Sequence, residues 1–496
     1  MKKRALHLLF FLLLGFGIFL GGCSSPATVD ELIIRGDFTI YVGDEVSLVT
    51  NKNNVSWETS DATVAMVQNG VVTGLRVGTV TITASLIADS TIWDEVQVEV
   101  KAKTTTQPPV EPPVIGDVDV KLGIDLIDDY LDFFAGKRVG LITNPTGINS
   151  DYESTIDVLF EKVNLVALFA PEHGIRGNLQ AGAYIPSYTD EKTGLPVYSL
   201  YGSTKAPTPQ MLENLDVLCI DIQDAGARFY TYIYTMAYAM EACAENDKEF
   251  VVFDRPNPIG GAEYEGNILN LTYRSFIGYY PILQRHGMTI AELAMLFNEE
   301  YGINCELTTI LMDGWDRNLY YDDTDLPWVV PSPNFPTNET AVVYPGTCIF
   351  EGTNVSEGRG TTIPFEVIGA PFMDAEAYAA ALNEMNLPGV IFRPAYFTPT
   401  FNKYTGEVCN GVQVHVTNRY TFKAVKTGWT MFELARTMYP SDLKITNATS
   451  STNMVNLNTG ANYITNDTYT LEQQYQILLQ DTATFGLIRE DYLLYE

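Results

Sequence analysis

Polar side chains suited to acid, base and anion-binding chemistry follow four short apolar runs of the sequence. The runs occupy residues 138–143, 164–170, 216–222 and 250–254. Such continuously apolar runs are typical of parallel strands covered on both faces, and ligands of open α/β sheets bind beyond the carboxyl ends of the strands. We therefore expect the following side chains at one edge of a sheet: Asn144, Glu172, His173, Arg176, Asp224, Arg228, Asp254, Arg255 and Asn257.

Carboxylates accompanied by arginines, with no lysine-rich phosphate loop, suit glycoside hydrolysis. One carboxylic acid protonates the leaving oxygen while other groups stabilise an oxocarbenium-like centre. A single Asp or Asn after a strand is more often a turn or helix cap than a catalyst. The hypothesis depends on the coincidence of four such strand ends.

Composition and missing motifs argue against several other classes of function. The net charge of −31 disfavours nucleic acid as a partner. The sequence has no G-x-G-x-x-G opening a helix, no H-E-x-x-H, no paired cysteine spacing and no G-x-S-x-G elbow. A dinucleotide enzyme, a metal hydrolase and a serine esterase are therefore disfavoured alternatives, and we expect neither a cofactor nor a metal.

Two helices are predicted around these strands. Ile233, Met236, Met240 and Cys243 recur at helical spacing, which favours a buried helix face. The segment 289–302 starts with a capping box, which indicates a second packed helix. Alternating strands and helices predict an α/β, doubly wound sheet, followed by a smaller C-terminal α/β subdomain.

The N-terminus is typical of an exported lipoprotein. Basic residues precede a run from Ala5 to Leu20 that is apolar except for one His, and the positions Leu20 to Cys23 look like a bacterial lipobox. We expect residues 1–22 to be a signal peptide, Cys23 to be lipidated, and 23–28 to be a tether to the outer face of the cell membrane. An uncleaved anchor is the alternative, but the run is short for a membrane span.

The next two segments are predicted to be a small β domain and a linker. Residues 29–103 alternate Thr and Val with period two and contain Asn69-Gly70 as a turn. They resemble the bacterial Ig-like modules of surface proteins, which implies an all-β sandwich used as a spacer or for cell-wall contact. Residues 104–117 are proline-rich and predict a semi-rigid linker.

Long motifs in the C-terminal region resemble the NamZ-type exo-β-N-acetylmuramidase family. They are GKRVGLITNPTG, LVALFAPEHGIRG, DIQDAGARFYTYIYTM, DRPNPIGG, YPGTCIFEGTNVSEGRGTTIPFEVIGAP and FRPAYFTPTF, within residues 136–401. The resemblance covers nearly all of residues 120–496. It implies a Rossmann-like subdomain, here 118–335, a smaller α/β subdomain, here 336–496, and an active site in the cleft between them. It also implies release of terminal N-acetylmuramic acid from the non-reducing end of peptidoglycan fragments.

Residue roles follow from chemistry at the matching positions. Glu172 is the first choice for the general acid, with His173 beside it, although it could instead cap a turn and pair with Arg176. The lactyl carboxylate of N-acetylmuramic acid calls for a cation, and Arg176, Arg228, Arg255 and Arg359 are the candidates. The second carboxylate or a group holding it is sought among Asp224, Asp254, Glu351 and Glu357. Further substrate contacts are expected from Asn144, Tyr232, Asn257 and Asn354.

The sequence leaves some alternatives open. Tyr230, Tyr232 and Tyr234 alternate as in a strand but start a helical stripe, so a tyrosine nucleophile or a sugar-stacking platform there is the less favoured interpretation. A retaining or an inverting mechanism depends on a carboxylate separation that no sequence reports. A non-catalytic, wall-binding lipoprotein on a degenerate hydrolase fold is the alternative from another functional class.

Overall fold

The computed structural model describes residues 32–36, 38–102, 118–172, 174–176, 187–202, 204–450 and 452–496. The expected signal peptide, the lipidated Cys23 with its tether, the linker and His173 lie outside these residues. In the part of the chain that is described, no helix combines the length and apolarity needed to cross a membrane. The five cysteines within it are all free and buried.

The described residues from 32 to 102 form a unit of β-strands around one small apolar core. Val80, Ile82 and Val98 lie at the centre of that core. The Asn69-Gly70 turn is confirmed, because both residues take left-handed backbone (φ 51° and 86°) between two antiparallel strands. The strands are β1 (Ile34–Arg35), β2 (Thr39–Tyr41), β3 (Glu45–Ser47), β4 (Val49–Thr50), β5 (Val55–Thr59), β6 (Ala65–Gln68), β7 (Val71–Gly74), β8 (Gly78–Leu86) and β9 (Trp93–Lys101).

A seven-stranded sheet forms the centre of the following region. Its strands are β10 (Val139–Thr143), β11 (Leu165–Ala170), β12 (Tyr188–Thr189), β13 (Pro196–Ser199), β14 (Val217–Asp221), β15 (Glu249–Phe253) and β16 (Glu306–Ile310). Their order is β12-β13-β11-β10-β14-β15-β16, and only the β12–β13 pair is antiparallel. The four apolar runs of the sequence coincide with β10, β11, β14 and β15, so the predicted strands are confirmed.

Helices cover both faces of this sheet, which explains why its central strands β10, β11, β14 and β15 are largely apolar. The helices are α1 (Leu131–Phe134), α2 (Thr155–Lys162), α3 (Pro209–Leu212), α4 (Tyr232–Glu245) and α5 (Ile290–Glu299), with 3₁₀ turns at Gly123–Tyr130, Leu271–Tyr273 and Tyr321–Asp323. Leu141 and α2 share one core, whereas Ile142 and the Met stripe of α4 share another on the opposite face. The predicted capping box of α5 is present, with Thr289 and Glu292 bonded reciprocally. The α/β class is confirmed.

The C-terminal region adds a three-stranded antiparallel sheet and more helices. Its elements are α6 (Asn338–Thr347), a 3₁₀ turn at Cys348–Gly352, β17 (Val367–Ala370), α7 (Ala375–Glu384), β18 (Val390–Phe397), β19 (Cys409–Val416), α8 (Ala424–Met438), α9 (Met454–Thr459), α10 (Leu471–Arg489) and a 3₁₀ turn at Glu490–Tyr492. The sheet order is β17-β19-β18. The last residues return to the large sheet, where the Tyr495 hydroxyl donates to Asp254 (2.6 Å).

Candidate functional site

The order of the strands creates a crevice at the carboxyl ends of β10, β11 and β14. From β10 the chain proceeds to β11 and β13 on one side, and it then crosses to β14 on the other side of β10. Such a change of direction separates neighbouring strand ends and opens the usual ligand site of α/β sheets. Asn144, Glu172 and Asp224 follow these three strands.

Glu172 is half-buried at the end of β11. Its carboxylate lies within hydrogen-bonding range of the Tyr201 hydroxyl, which comes from the loop after the neighbouring strand β13. Burial raises the pKa of Tyr201 to about 12, and the negative charge of Glu172 adds to that rise. Tyr201 therefore remains protonated near neutral pH and can donate a hydrogen bond to the carboxylate.

Asp224 is buried after β14, and its two carboxylate oxygens differ in their contacts. Oδ2 accepts the backbone N–H of Gly226 (2.8 Å) and lies 3.2 Å from Nε2 of His286. Oδ1 is buried and has no hydrogen-bond partner. A buried acceptor without a partner is costly in a folded protein and is characteristic of functional positions. One oxygen of Asp224 is thus held, and the other is available.

Tyr230 and Tyr232 connect the two carboxylates and Asn144. The two rings lie 5.1 Å apart, and the Tyr232 hydroxyl donates to the Pro331 carbonyl (2.9 Å) beside the Asn144 side chain. The Tyr230 hydroxyl has no partner. Burial raises its pKa well above the usual range, and the charges of Asp224 and Glu172 add to the shift. Tyr230 is therefore a neutral neighbour of both carboxylates.

Asn144 presents an available donor to the same crevice. Its Oδ1 accepts hydrogen bonds from the backbone and the hydroxyl of Thr146 (2.9 and 2.5 Å), whereas its Nδ2 is buried without a partner. The Thr146 hydroxyl in turn accepts the backbone N–H of Gln223 (2.9 Å). These hydrogen bonds join the loop after β10 to the loop after β14, so the relative positions of Asn144 and Asp224 are fixed.

An aromatic cluster extends the site into the C-terminal region. Tyr230 packs against Phe335 (5.2 Å between ring centroids), which packs against Tyr344 of α6 (4.7 Å). Tyr344 also contacts Phe365 (4.7 Å), whose ring lies 5.0 Å from the Arg359 guanidinium. Phe365 takes left-handed backbone (φ 66°), which is strained for a bulky residue and must be held by this packing.

Arg359 belongs to a group of charged side chains at the far end of that cluster. Its Nε donates to Glu351 (3.1 Å) and lies 3.3 Å from Glu357, and Lys403 bonds Glu357 (2.7 Å). These four residues line a cavity of about 400 Å³ together with Asn402. Lys403 also donates to backbone carbonyls, including that of Phe350 (2.8 Å), and so it holds the group in place. Nη2 of Arg359 also donates to Glu351, and the guanidinium lines the cavity.

Three other arginines named from the sequence already have partners inside the fold. Arg228 is fully buried and donates to the carbonyls of residues 267, 282 and 458. Arg255 forms a buried ion pair with Asp221 (2.5 Å). Arg176 pairs with Asp190 (2.8 Å), although about a third of its side chain is exposed. Arg228 and Arg255 thus serve the fold in this structure.

Asp254, Asn257 and Asn354 also have internal partners. Asp254 accepts from Thr289 (2.8 Å) and from the Ala291 backbone (2.9 Å) as well as from the C-terminal tyrosine described above. Asn257 donates to the Met288 carbonyl (3.0 Å). Asn354 bridges the backbone of residues 442 and 444. These contacts anchor segments of chain around the crevice.

Sequence reasoning missed three side chains of this region. Tyr201 follows β13 as Glu172 follows β11, so the strand-end rule would have included it had residues 196–199 been recognised as a strand. His286 and Lys403 carry no local signal, because their partners are distant in sequence. Among the described residues, no group of three or more His, Cys, Asp or Glu is arranged to hold a metal ion.

Comparison with known proteins identifies a family. The family model for the N-terminal part of the exo-beta-N-acetylmuramidase NamZ matches residues 139–339, and the model for its C-terminal part matches residues 342–495. The chain is 52% identical over 381 residues to the peptidoglycan beta-N-acetylmuramidase NamZ of Bacillus subtilis (strain 168). The match covers 76% of this chain and 91% of the relative.

Two solved structures superpose on about three-quarters of this chain. A DUF1343 family protein of Bacteroides fragilis NCTC 9343 superposes with a TM-score of 0.72 at 39% identity, covering 77% of this chain and all of that one. A second DUF1343 family protein of the same organism superposes with a TM-score of 0.59 at 31% identity, covering 76% of this chain and 99% of that one.

Proposed function

The chain belongs to the NamZ exo-β-N-acetylmuramidase family. From this premise we propose that it hydrolyses the glycosidic bond of a terminal N-acetylmuramic acid. The substrate is a peptidoglycan fragment that carries this sugar at its non-reducing end, as the name of the Bacillus subtilis relative supports. The enzyme is thus a glycoside hydrolase of cell-wall turnover. The observation that carries the proposal is the placement of two carboxylates, Glu172 and Asp224, after β11 and β14 at one edge of the sheet, with Oδ1 of Asp224 buried and unpartnered.

Glu172 acts as the general acid in this proposal. It is half-buried and has a hydroxyl donor beside it, so its carboxyl group can be held against the leaving oxygen. Protonation of that oxygen lets the glycosidic bond break, and the positive charge then develops at the anomeric carbon. Water supplies the hydroxyl group of the released sugar.

Asp224 is the second carboxylate. In both retaining and inverting hydrolysis the second group must present an ionised oxygen to the anomeric carbon or to the attacking water. The free Oδ1 of Asp224 meets this requirement, since Oδ2 is occupied by Gly226 and His286. Asn144 Nδ2 is likewise buried without a hydrogen-bond partner, and we assign it to a substrate oxygen.

Recognition of the lactyl carboxylate is assigned to Arg359. Arg228 and Arg255 are buried and bonded to acceptors within the fold, whereas Arg359 lines a cavity next to the aromatic cluster. Glu351 and Glu357 hold its Nε side, which orients the planar guanidinium and leaves its other edge for a bidentate contact. Arg176 is the remaining alternative.

Export and anchoring form a separate part of the proposal. The basic residues at the start, the apolar run and the lipobox-like positions 20–23 support cleavage before Cys23 and acylation of its thiol. The enzyme then acts at the outer face of the bacterial membrane. Replacement of Cys23 by Ser should abolish labelling with palmitate and cleavage before residue 23; labelling that persists in this variant would refute acylation of Cys23.

The N-terminal β unit is proposed to be an Ig-like spacer or cell-wall contact. Its three small sheets around one core, together with the resemblance noted from its sequence, support this assignment. Binding of residues 29–103 to purified cell walls can be compared with binding of the full chain. Equal binding would assign wall contact to this unit, and no binding would leave it the role of a spacer.

The activity itself is tested with the full chain and a disaccharide that has N-acetylmuramic acid at its non-reducing end. Release of the free sugar, followed by mass spectrometry, is the expected result. A folded protein that binds wall fragments but releases no sugar would instead indicate a non-catalytic wall-binding protein.

A further inference from the structure

His286 is a fully buried histidine that lies in the loop between β15 and α5, next to the crevice. Its Nδ1 accepts the backbone N–H of Met288 (3.2 Å), and its Nε2 lies 3.2 Å from Oδ2 of Asp224. A ring nitrogen that accepts a hydrogen bond carries no proton, so the hydrogen of the neutral ring must be on Nε2. The two contacts together define the tautomer, and Nε2–H donates to Asp224.

This contact determines which oxygen of Asp224 is free. The backbone N–H of Gly226 and the imidazole N–H of His286 both point at Oδ2. Rotation of the carboxylate about its last bond would exchange the two oxygens, but it would give the same arrangement. Any intermediate rotation would break both hydrogen bonds inside a buried site, where an unmade hydrogen bond is costly. The plane of the carboxylate is therefore fixed.

We infer that His286 is a positioning residue, which holds the Asp224 carboxylate so that Oδ1 faces the reacting sugar. This inference rests on the proposed function, because it gives Asp224 the role of second carboxylate. His286 does not touch the substrate in this account. It acts through a hydrogen bond to a residue that does, in the way that a buried acceptor orients a catalytic histidine in other hydrolases.

A purely structural role is the competing explanation. The bond from Met288 to Nδ1 closes the turn that leads to the cap of α5, and a histidine could be present for that bond alone. The two explanations use different nitrogens of the ring. A pair of substitutions that each keep one nitrogen function can therefore separate them.

His286→Gln and His286→Asn form this pair. The amide nitrogen of Gln reaches the place of Nε2 and can donate to Asp224, but Gln offers no acceptor at the place of Nδ1. The amide oxygen of Asn reaches the place of Nδ1 and can accept from Met288, but Asn has no donor near Asp224. If His286 positions Asp224, we expect the Gln variant of the full chain to keep kcat within about fivefold of the wild type. The Asn variant should lose about 50-fold in kcat or more, with KM changed less than twofold.

The inference is overturned if the two variants rank in the opposite order of activity. An Asn variant that is as active as the Gln variant, or more active, would show that only the Met288 contact matters. A loss confined to KM would also overturn it, because orientation of a catalytic carboxylate acts on the chemical step. If the wild type releases no sugar at all, the proposed function fails first, and that result is distinct from either order of the variants.

Two further measurements keep the inference testable if a variant folds poorly. In an Asp224→Asn background, His286→Asn should lower kcat by less than about threefold more, because the carboxylate that His286 orients is gone. If His286→Asn lowers kcat as much in this background as in the wild type, the inference is contradicted. In the unmodified protein, ¹⁵N-histidine NMR should show His286 protonated on Nε2 and bare on Nδ1. The reverse tautomer would exclude donation to Asp224.

Discussion

Glu172 and Asp224 follow two different strands, and the charge of each adds to the burial that raises the pKa of the Tyr230 hydroxyl. Both carboxylates lie close enough for their charges to raise the pKa of that hydroxyl. β11 and β14 are not neighbours in the sheet, since β10 lies between them. We therefore propose that the sugar ring binds at the end of β10, between the acid on one side and the second carboxylate on the other.

Loss of the proposed acid should abolish turnover without unfolding the protein. Glu172→Gln keeps the shape and the hydrogen bond to Tyr201 but cannot give a proton, so we expect kcat to fall about 10³-fold or more while binding of wall fragments persists. Glu161→Gln, at an exposed position of α2, is the matched control and should retain full activity. A Glu172→Gln variant as active as the control would remove this residue from the mechanism.

Discrimination between sugars should depend on Arg359. The wild type should cleave a chromogenic N-acetylmuramic acid substrate and leave the N-acetylglucosamine analogue nearly untouched, because only the former has a carboxylate. Arg359→Gln should lower kcat/KM for the muramic substrate about 30-fold or more, in line with the loss of a charged hydrogen-bonded contact.

The ratio of the two rates, rather than either rate alone, is the measurement for Arg359. Arg393→Gln serves as the control, because Arg393 is exposed on β18 and donates to the side chain of Gln413 (2.7 Å). Equal wild-type rates on both sugars would mean that the carboxylate is not recognised. An unchanged ratio in Arg359→Gln would transfer the role to Arg176.

A side chain added at Gly428, where α8 crosses α6, should destabilise the protein. A Cβ added at Gly428 would lie 2.1 Å from the Gly346 carbonyl oxygen, which is backbone and cannot turn away. We expect Gly428→Ala to lower the free energy of unfolding by about 3 kcal/mol, as overpacking between helices does. Activity should fall as well, because α6 carries Tyr344.

A helix glycine whose nearest neighbour is a movable side chain provides the control for Gly428→Ala. A Cβ at Gly486 of α10 would meet the Tyr264 hydroxyl at 2.5 Å, the end of a side chain that can move. Gly486→Ala should therefore cost at most about 1 kcal/mol, partly offset by the higher helix propensity of alanine. Chemical denaturation of both variants measures the difference, and equal losses would contradict the role of the backbone contact.

The ion pair of Asp190 with Arg176 should contribute stability that disappears in acid. Hydrogen bonds from Arg176 lower the pKa of Asp190 to about 2, so the folded state favours the ionised carboxylate. This stabilisation is fully present above the unfolded pKa of about 4 and is lost as pH falls toward 2. Because the Arg176 side chain is about one-third exposed, we discount the full value and expect about 1–2 kcal/mol.

Asp190→Asn should therefore be less stable than the wild type at pH 7, and the difference should shrink toward pH 2.5. Thermal unfolding at both pH values measures it. Asp128→Asn is the control, since the Asp128 side chain is largely exposed and its pair with Lys162 should contribute little at either pH. A pH-independent difference for Asp190→Asn would show that the charge is not the cause.

The sequence by itself determined the local features of the large domain. The apolar runs became β10, β11, β14 and β15, and the capping box of α5 formed as expected, because these signals depend on residues within one element. It also placed Asn144, Glu172 and Asp224 at strand ends. Parallel strands bring such ends to one edge whatever the details of packing, so this part of the site could be predicted.

Only the tertiary structure decided which of these side chains remain available. Arg228 and Arg359 look alike in the sequence, but Arg228 is buried and its terminal nitrogens donate to carbonyls that lie 39 to 230 positions away. The contact that fixes Asp224 comes from His286, 62 positions along the chain. Hydrogen bonds of this kind require two distant segments to meet within about 3 Å. No local sequence pattern predicts these contacts, because they depend on the order of the strands and on the packing of the loops.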